Sequence, residues 1–263
     1  MASDARAYAE SQGLPMAMTA ALKTVLLEKP QDGKARLVEL LSEGTNNFYV
    51  YNPKGKESGA KGGKEFEPSK AAVLFIEFQN EFATEGGKLY DGVKGVMEST
   101  GMLEKSVQVA EACRKAGVRV MHAAISFAED ASDNPNRNLG ILGNCAASKL
   151  FTSGTWNAEF CSAMKPQDGD IIVTGKKGLD AFPGSDLESQ LRKHGIETLV
   201  LAGFLTNCCV ESTMRTAYEK GFDVITLIDC CATTSEDGQK VTENSFGMFS
   251  TPMTASDFTA KLG

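Results

Sequence analysis

Three stretches of the sequence carry side chains able to make or break a covalent bond. In "GFLTNCCVEST" (203–213) two adjacent cysteines follow an apolar run, at what reads as the start of a helix. A thiol placed there feels the positive end of the helix dipole. A neighbouring lysine would lower its pKa further and favour the nucleophilic thiolate. Such a lysine is offered by "IVTGKKGLDAF" (172–182), where Lys176 and Lys177 follow another apolar run. The third stretch, "LFIEFQNEF" (74–82), sets Glu77 inside an apolar segment. Burying a carboxylate without a partner is costly, so Glu77 implies either a buried salt bridge or a working acid–base group. Taken singly, either lysine reads as a solvated loop residue and either cysteine as core. Together they are a thiol, a cation and a proton acceptor. Acyl transfer needs these three: the thiol attacks, the carboxylate moves its proton to the leaving group, and backbone donors hold the developing oxyanion.

Other chemistries are poorly served. His122 and His194 are the only histidines. His122 falls at the end of an expected strand and is open to a site role. His194 precedes Gly195 and suits a helix C-terminus electrostatically. A two-histidine metal site is not expected from residues on separate elements with no carboxylates patterned around them. The seven cysteines (113, 145, 161, 208, 209, 230 and 231) are odd in number and lack any C-x-x-C pair, so neither a disulfide framework nor a zinc site is expected. A reducing, cytoplasmic setting follows. No G-x-G-x-x-G follows a strand, and "GAKGGKE" lacks the phosphate-loop spacing, so no cofactor is expected. The net charge of −7, with no basic block to offset it, argues against nucleic acid or anionic membrane as a partner. No apolar run reaches the roughly 18 residues of a membrane span, and "MASDARAYAESQG" has no apolar signal-peptide core. The expected partner is a small-molecule substrate.

The elements that position these residues begin near 71. Apolar strands are expected at 71–78, 118–126, 170–175, 196–204 and 222–229. Helices are expected at 102–117, at 185–195 with Ser185 as N-cap and Glu188 completing a capping box, and at 207–221. Short apolar strands alternating with helices give an α/β fold with a parallel sheet covered on both faces, whose functional residues sit at the strands' carboxyl ends. All three reactive stretches fall at such ends. Upstream, Leu14, Met18, Leu22, Val25 and Leu26, then Leu37, Leu40 and Leu41, recur in steps of three and four around a "KPQDG" break. This predicts a helical hairpin within 1–45, too small to bury its own stripe, joined by a polar connector (46–70) to a domain spanning 71–263.

Residues 71–258 resemble the isochorismatase superfamily of cysteine hydrolases. The resemblance rests on "IEFQNEF", "GTWNAEF" (154–160), "KKGLDAFPGSDL" (176–187) and "GFLTNCCVEST". It implies a Rossmann-like three-layer αβα fold with a six-stranded parallel sheet and an acid–lysine–cysteine triad. By position the triad falls on Glu77, Lys176 and Cys209, with a cis peptide at Phe204–Leu205 and an oxyanion hole from the backbone amides of Leu205 and Cys209. Glu77 stands where the family has Asp, and Asp180 where it has Ser. The loop "AEDASDNPNRNLGILGNCAASKLF" (128–151) has no histidine, unlike the nicotinamidase branch, so the resemblance implies metal-independent chemistry. Residues 8–41 resemble the dimerisation and docking module of the RIIα and Dpy-30 type, with Gly33 where that family commonly has Pro. That implies a homo-oligomer with a groove for an amphipathic partner helix. The expected function is hydrolysis of a small molecule, at a C–N amide bond or at the vinyl ether of isochorismate. The alternative is a dimerising interaction protein whose hydrolase site is impaired by Glu77.

Overall fold

The computed structural model describes residues 66–263; the hairpin expected within 1–45 and most of the connector lie outside them. The connector's last residues, Pro68–Lys70, make one 3₁₀ turn, and Phe66 packs edge-on against Phe258 at 5.8 Å. The chain then enters β1 (Ala71–Ile76), which is buried along its whole length.

Six strands form one parallel sheet in the order β3-β2-β1-β4-β5-β6. The others are β2 (Arg119–Ala123), β3 (Ile171–Val173), β4 (Thr198–Phe204), β5 (Asp223–Ala232) and β6 (Thr251–Met253). The most apolar runs take the centre: Val73 lies opposite Val120 on one side and Val200 on the other. The three-residue strands take the edges. β6 contains Pro252, which has no N–H to give to a ladder and is tolerated at an edge.

Alternation along the strands sends side chains into two separate layers. Val73, Phe75, Val120, Val200 and Leu227 pack with α2 (Tyr90–Thr100), α3 (Met102–Ala116) and α8 (Ala255–Ala260). Leu74, Ile76, Met121, Leu199 and Leu201 pack with α5 (Leu187–Lys193), α6 (Glu211–Glu219) and α7 (Glu236–Phe246). Leu179 touches both layers. Two shorter helices, α1 (Asn80–Ala83) and α4 (Gly140–Ala147), lie in the connections after β1 and β2. Among the described residues, no helix is long and apolar enough to cross a membrane.

The chain builds outward from β1 to β3, then crosses back to β4 on the other side of β1. The strand order therefore reverses between β1 and β4, where open α/β sheets leave a crevice at the carboxyl ends. Gly203 lets these two strands close up there: its φ is 140°, and a Cβ would stand 2.2 Å from the Ile76 carbonyl oxygen.

Helix ends follow the sequence in part. α3 stops at Gly117 (φ 80°), whose N–H caps Arg114 and Cys113 carbonyls. α5 begins later than expected, with Asp186 and not Ser185 at the N-cap. The Ser185 hydroxyl instead donates to the Ala181 carbonyl and accepts from Leu187 N–H at 3.1 Å. The helix expected from 207 is preceded by a wider π-helical turn, Thr206–Val210, before α6 proper.

Candidate active site

Glu77 is the first residue past β1. Its N–H extends the ladder to the Ala123 carbonyl at 2.9 Å, while its φ of 58° turns the chain sharply off the sheet. Lys176 follows β3 through a turn at Gly175, where φ is 86° and a Cβ would stand 2.6 Å from the Gly184 carbonyl oxygen. The two side chains meet: Lys176 Nζ donates to Glu77 Oε1 and, at 2.7 Å, to the Gly178 carbonyl. Both residues are 2% exposed. The connection after β4 brings in Cys209, 4% exposed on the π-helical turn, with its thiol in the field of both charges. The peptide between Phe204 and Leu205 is cis.

Electrostatics here differ from the sequence expectation. Burial alone would lower the Lys176 pKa, but Glu77 and the two sulfurs outweigh it, and the ammonium is held above its ordinary value. The Cys209 thiol is pushed well up by its neighbour Cys208, by burial and by Glu77, and only Lys176 pulls the other way. A lowered pKa was expected from the helix start and the lysine. Cys208, desolvation and the carboxylate together outweigh the lysine, so the resting group is the thiol. Cys208 is half-buried and shifts down through its interaction with Cys209, against burial and Glu77.

Polar side chains from four segments hold this arrangement. Gln79 clamps the loop after β2, accepting from Ile125 N–H at 2.9 Å and donating to the Ile125 and Ala158 carbonyls at 2.8 and 2.7 Å. Thr206 donates to Gln239 Oε1 at 2.6 Å, and Thr233 to Asn207 Oδ1 at 2.7 Å, fastening the cysteine turn to α7 and the end of β5. Lys177 is not the free lysine the sequence suggested: it pairs with Asp133 at 2.8 Å and donates to the Ser126 carbonyl. Cys145, on α4, feels both Glu77 and Cys208; burial is the main cause of its rise to about 11.

The histidines stand apart. His122 is fully buried within β2, against the rings of Phe75 and Phe160, with Nε2 3.0 Å from Asp170 Oδ2. Arg114 closes on the same carboxylate through two hydrogen bonds. His194 takes the C-cap of α5 as expected, yet its pKa is lowered, by burial and then by Arg119 and Lys193. Among the described residues, no cluster of three or more His, Cys, Asp or Glu is placed to hold a metal ion. Sequence reasoning missed Gln79, Glu81 and Asp133. The polar run inside "FQNEF" was the available signal for the first two.

Known proteins share this architecture and sequence. The chain is 30% identical over 175 residues to the ureidoacrylate amidohydrolase RutB of Methylorubrum extorquens, covering 62% of this chain and 70% of that protein. A cysteine hydrolase from Pseudomonas syringae pv. phaseolicola superposes with a TM-score of 0.68 at 23% identity, covering 76% of this chain and 95% of the other. N-carbamoylsarcosine amidase from Thermoplasma acidophilum superposes with a TM-score of 0.58, also at 23% identity, over 71% and 96% of the two chains. At that identity both likenesses speak to the fold. The isochorismatase domain itself matches residues 71–257, and the protein is a hydrolase belonging to the isochorismatase domain family.

Proposed function

We propose that the protein hydrolyses a carbon–nitrogen bond next to a carbonyl in a small molecule, with Cys209 as nucleophile, Glu77 as proton carrier and Lys176 as the fixed cation between them. The observation that carries this is the buried Glu77–Lys176 pair beside Cys209, at the point where the strand order reverses. Two proteins it resembles are named for a ureido and an N-carbamoyl compound, both of which carry an H₂N–CO–N group. That group is the substrate class we assign.

The thiol is protonated at rest, so its proton moves to Glu77 as the sulfur attacks the carbonyl carbon. The carbonyl π electrons move to oxygen, where the amides of Leu205 and Cys209 would stabilise them. Collapse breaks the C–N bond, and the leaving nitrogen takes the proton back from Glu77. Water, deprotonated by Glu77, then attacks the S-carbamoyl group; collapse breaks the C–S bond, and the departing sulfur takes the proton from Glu77 and is restored as the thiol. Throughout, Lys176 stays charged and offsets the negative charge that passes between sulfur and carboxylate.

The longer Glu77 side chain does not carry its carboxylate away from Lys176, which argues against an impaired site. A vinyl ether needs an acid but no thiol, so the retained Cys209 favours the carbonyl–nitrogen substrate. The test is a screen of N-carbamoylsarcosine, ureidoacrylate and isochorismate, wild type beside Cys209→Ala. Product from a carbamoyl compound in wild type only is the expected result. Undiminished turnover by Cys209→Ala would refute the assignment.

A further inference from the structure

The mechanism leaves one fully buried carboxylate unused. Glu81, in α1, is 0% exposed, and among the described residues no ion pair reaches it. Its Oε1 accepts from Lys88 N–H and from Asn157 Nδ2, each at 2.8 Å, and its Oε2 accepts from Phe151 N–H at 3.1 Å. Three separate segments thus hang from one carboxyl group. Only a carboxylate satisfies all three, because an amide in its place would turn an NH₂ towards one of the donors.

What Glu81 holds is strained. Lys149 (φ 49°) and Phe151 (φ 53°) both occupy the left-handed region that residues with side chains rarely adopt. Strain of this kind persists where the surroundings over-determine it, and it clusters at working sites. The strained turn leads directly to the site. The Phe151 ring lies 5.4 Å from Phe82, and Phe82 stacks on Phe204 at 5.1 Å with only 8° between the planes. Phe204 is joined by its own peptide to Leu205, one of the two donors assigned to the oxyanion.

We infer that Glu81 is a positioning residue for the oxyanion hole: by anchoring Phe151 it sets the Phe151–Phe82–Phe204 stack, and so the Leu205 amide, without touching substrate. This rests on the catalytic assignment above. The mechanism gives a test that separates positioning from mere stability. Acylation of Cys209 by p-nitrophenyl acetate passes through an oxyanion, whereas alkylation by iodoacetamide needs the sulfur alone.

Glu81→Gln is expected to slow the p-nitrophenolate burst on the order of 10- to 100-fold, the usual consequence of a misplacement near 1 Å. Alkylation of Cys209, localised by fragment-ion mass spectrometry, should change by less than about twofold, since the thiol and its charges are untouched. If both rates fall together, or neither falls, the inference is overturned. Should Glu81→Gln not fold, Phe82→Leu carries the same test, because it breaks the stack on Phe204 and keeps every hydrogen bond to Glu81; an unslowed burst there overturns it too. A wild-type burst that persists in Cys209→Ala would bring down the catalytic assignment and this inference with it. A burst that depends on Cys209 but not on Glu81 sinks this inference alone.

Discussion

Replacing Lys176 by Met keeps an unbranched chain of similar length and removes the ammonium. Glu77 is then left in a 2%-exposed position with no cation. Breaking a buried pair by removing one partner costs about 3–5 kcal/mol, most of it the penalty of the charge left behind. At roughly 2–4 °C per kcal/mol for a domain of this size, the melting temperature should fall by about 6–20 °C. Glu77→Gln leaves Lys176 equally stranded and should cost a similar amount. The double variant strands neither charge, so it should be more stable than either single variant, with a coupling energy of roughly 3 kcal/mol or more. The sign of the pH dependence fixes where to measure. Lys176 is raised in the folded state, so its contribution is fully present below the unfolded lysine pKa and is lost as pH rises through the higher folded value. Urea denaturation at pH 7 followed by circular dichroism therefore reads it in full. Losses that simply add across the cycle would refute the reasoning, because the two groups would then not depend on each other.

Cys208→Ala removes the leading cause of the raised Cys209 pKa, so alkylation of Cys209 should reach half-maximum at lower pH, while carbamoyl hydrolysis persists. His122 is held below its ordinary pKa by burial, so the unfolded chain binds its proton first. Stability should fall as pH drops below about 6.5, well before the Asp170 carboxylate, itself lowered, begins to titrate; a urea midpoint flat from pH 7.5 to 5 refutes this. Deleting residues 1–45 should lower the mass seen by light scattering and leave hydrolysis intact; an unchanged mass would refute a role for residues 1–45 in self-association.

The central strands were legible because buried parallel strands read as unbroken apolar runs, and Ala71–Ile76 and Thr198–Phe204 are such runs. The edge strand Thr251–Met253 was not legible: three residues with a proline carry no periodicity. Nor was α7, whose "EDGQKVTENSF" contains a glycine and few apolar residues. Residue types placed Glu77, Lys176 and the cysteines at strand ends, but choosing Cys209 over Cys208 required the family motif. The sign of the Cys209 shift was illegible, because it depends on how Cys208 meets it, how completely the turn is buried and how near Glu77 comes. The polar run "FQNEF" marked Glu81 as unusual, but its role was illegible because its donors come from 88, 151 and 157, far along the chain.

The sheet's division of the core into two layers has a consequence for how substitutions combine. Val73 and Leu74 are chain neighbours that share no packing layer. Energetic effects add when residues share no partners and couple when they touch. Epistasis in this domain should therefore be largely partitioned, with changes around α3 and α8 interacting among themselves more than with those around α5 and α6. Leu179 packs against both groups, three positions beyond Lys176. Through that side chain, and where α2 meets α7, the mutational history of one layer constrains what the other can accept.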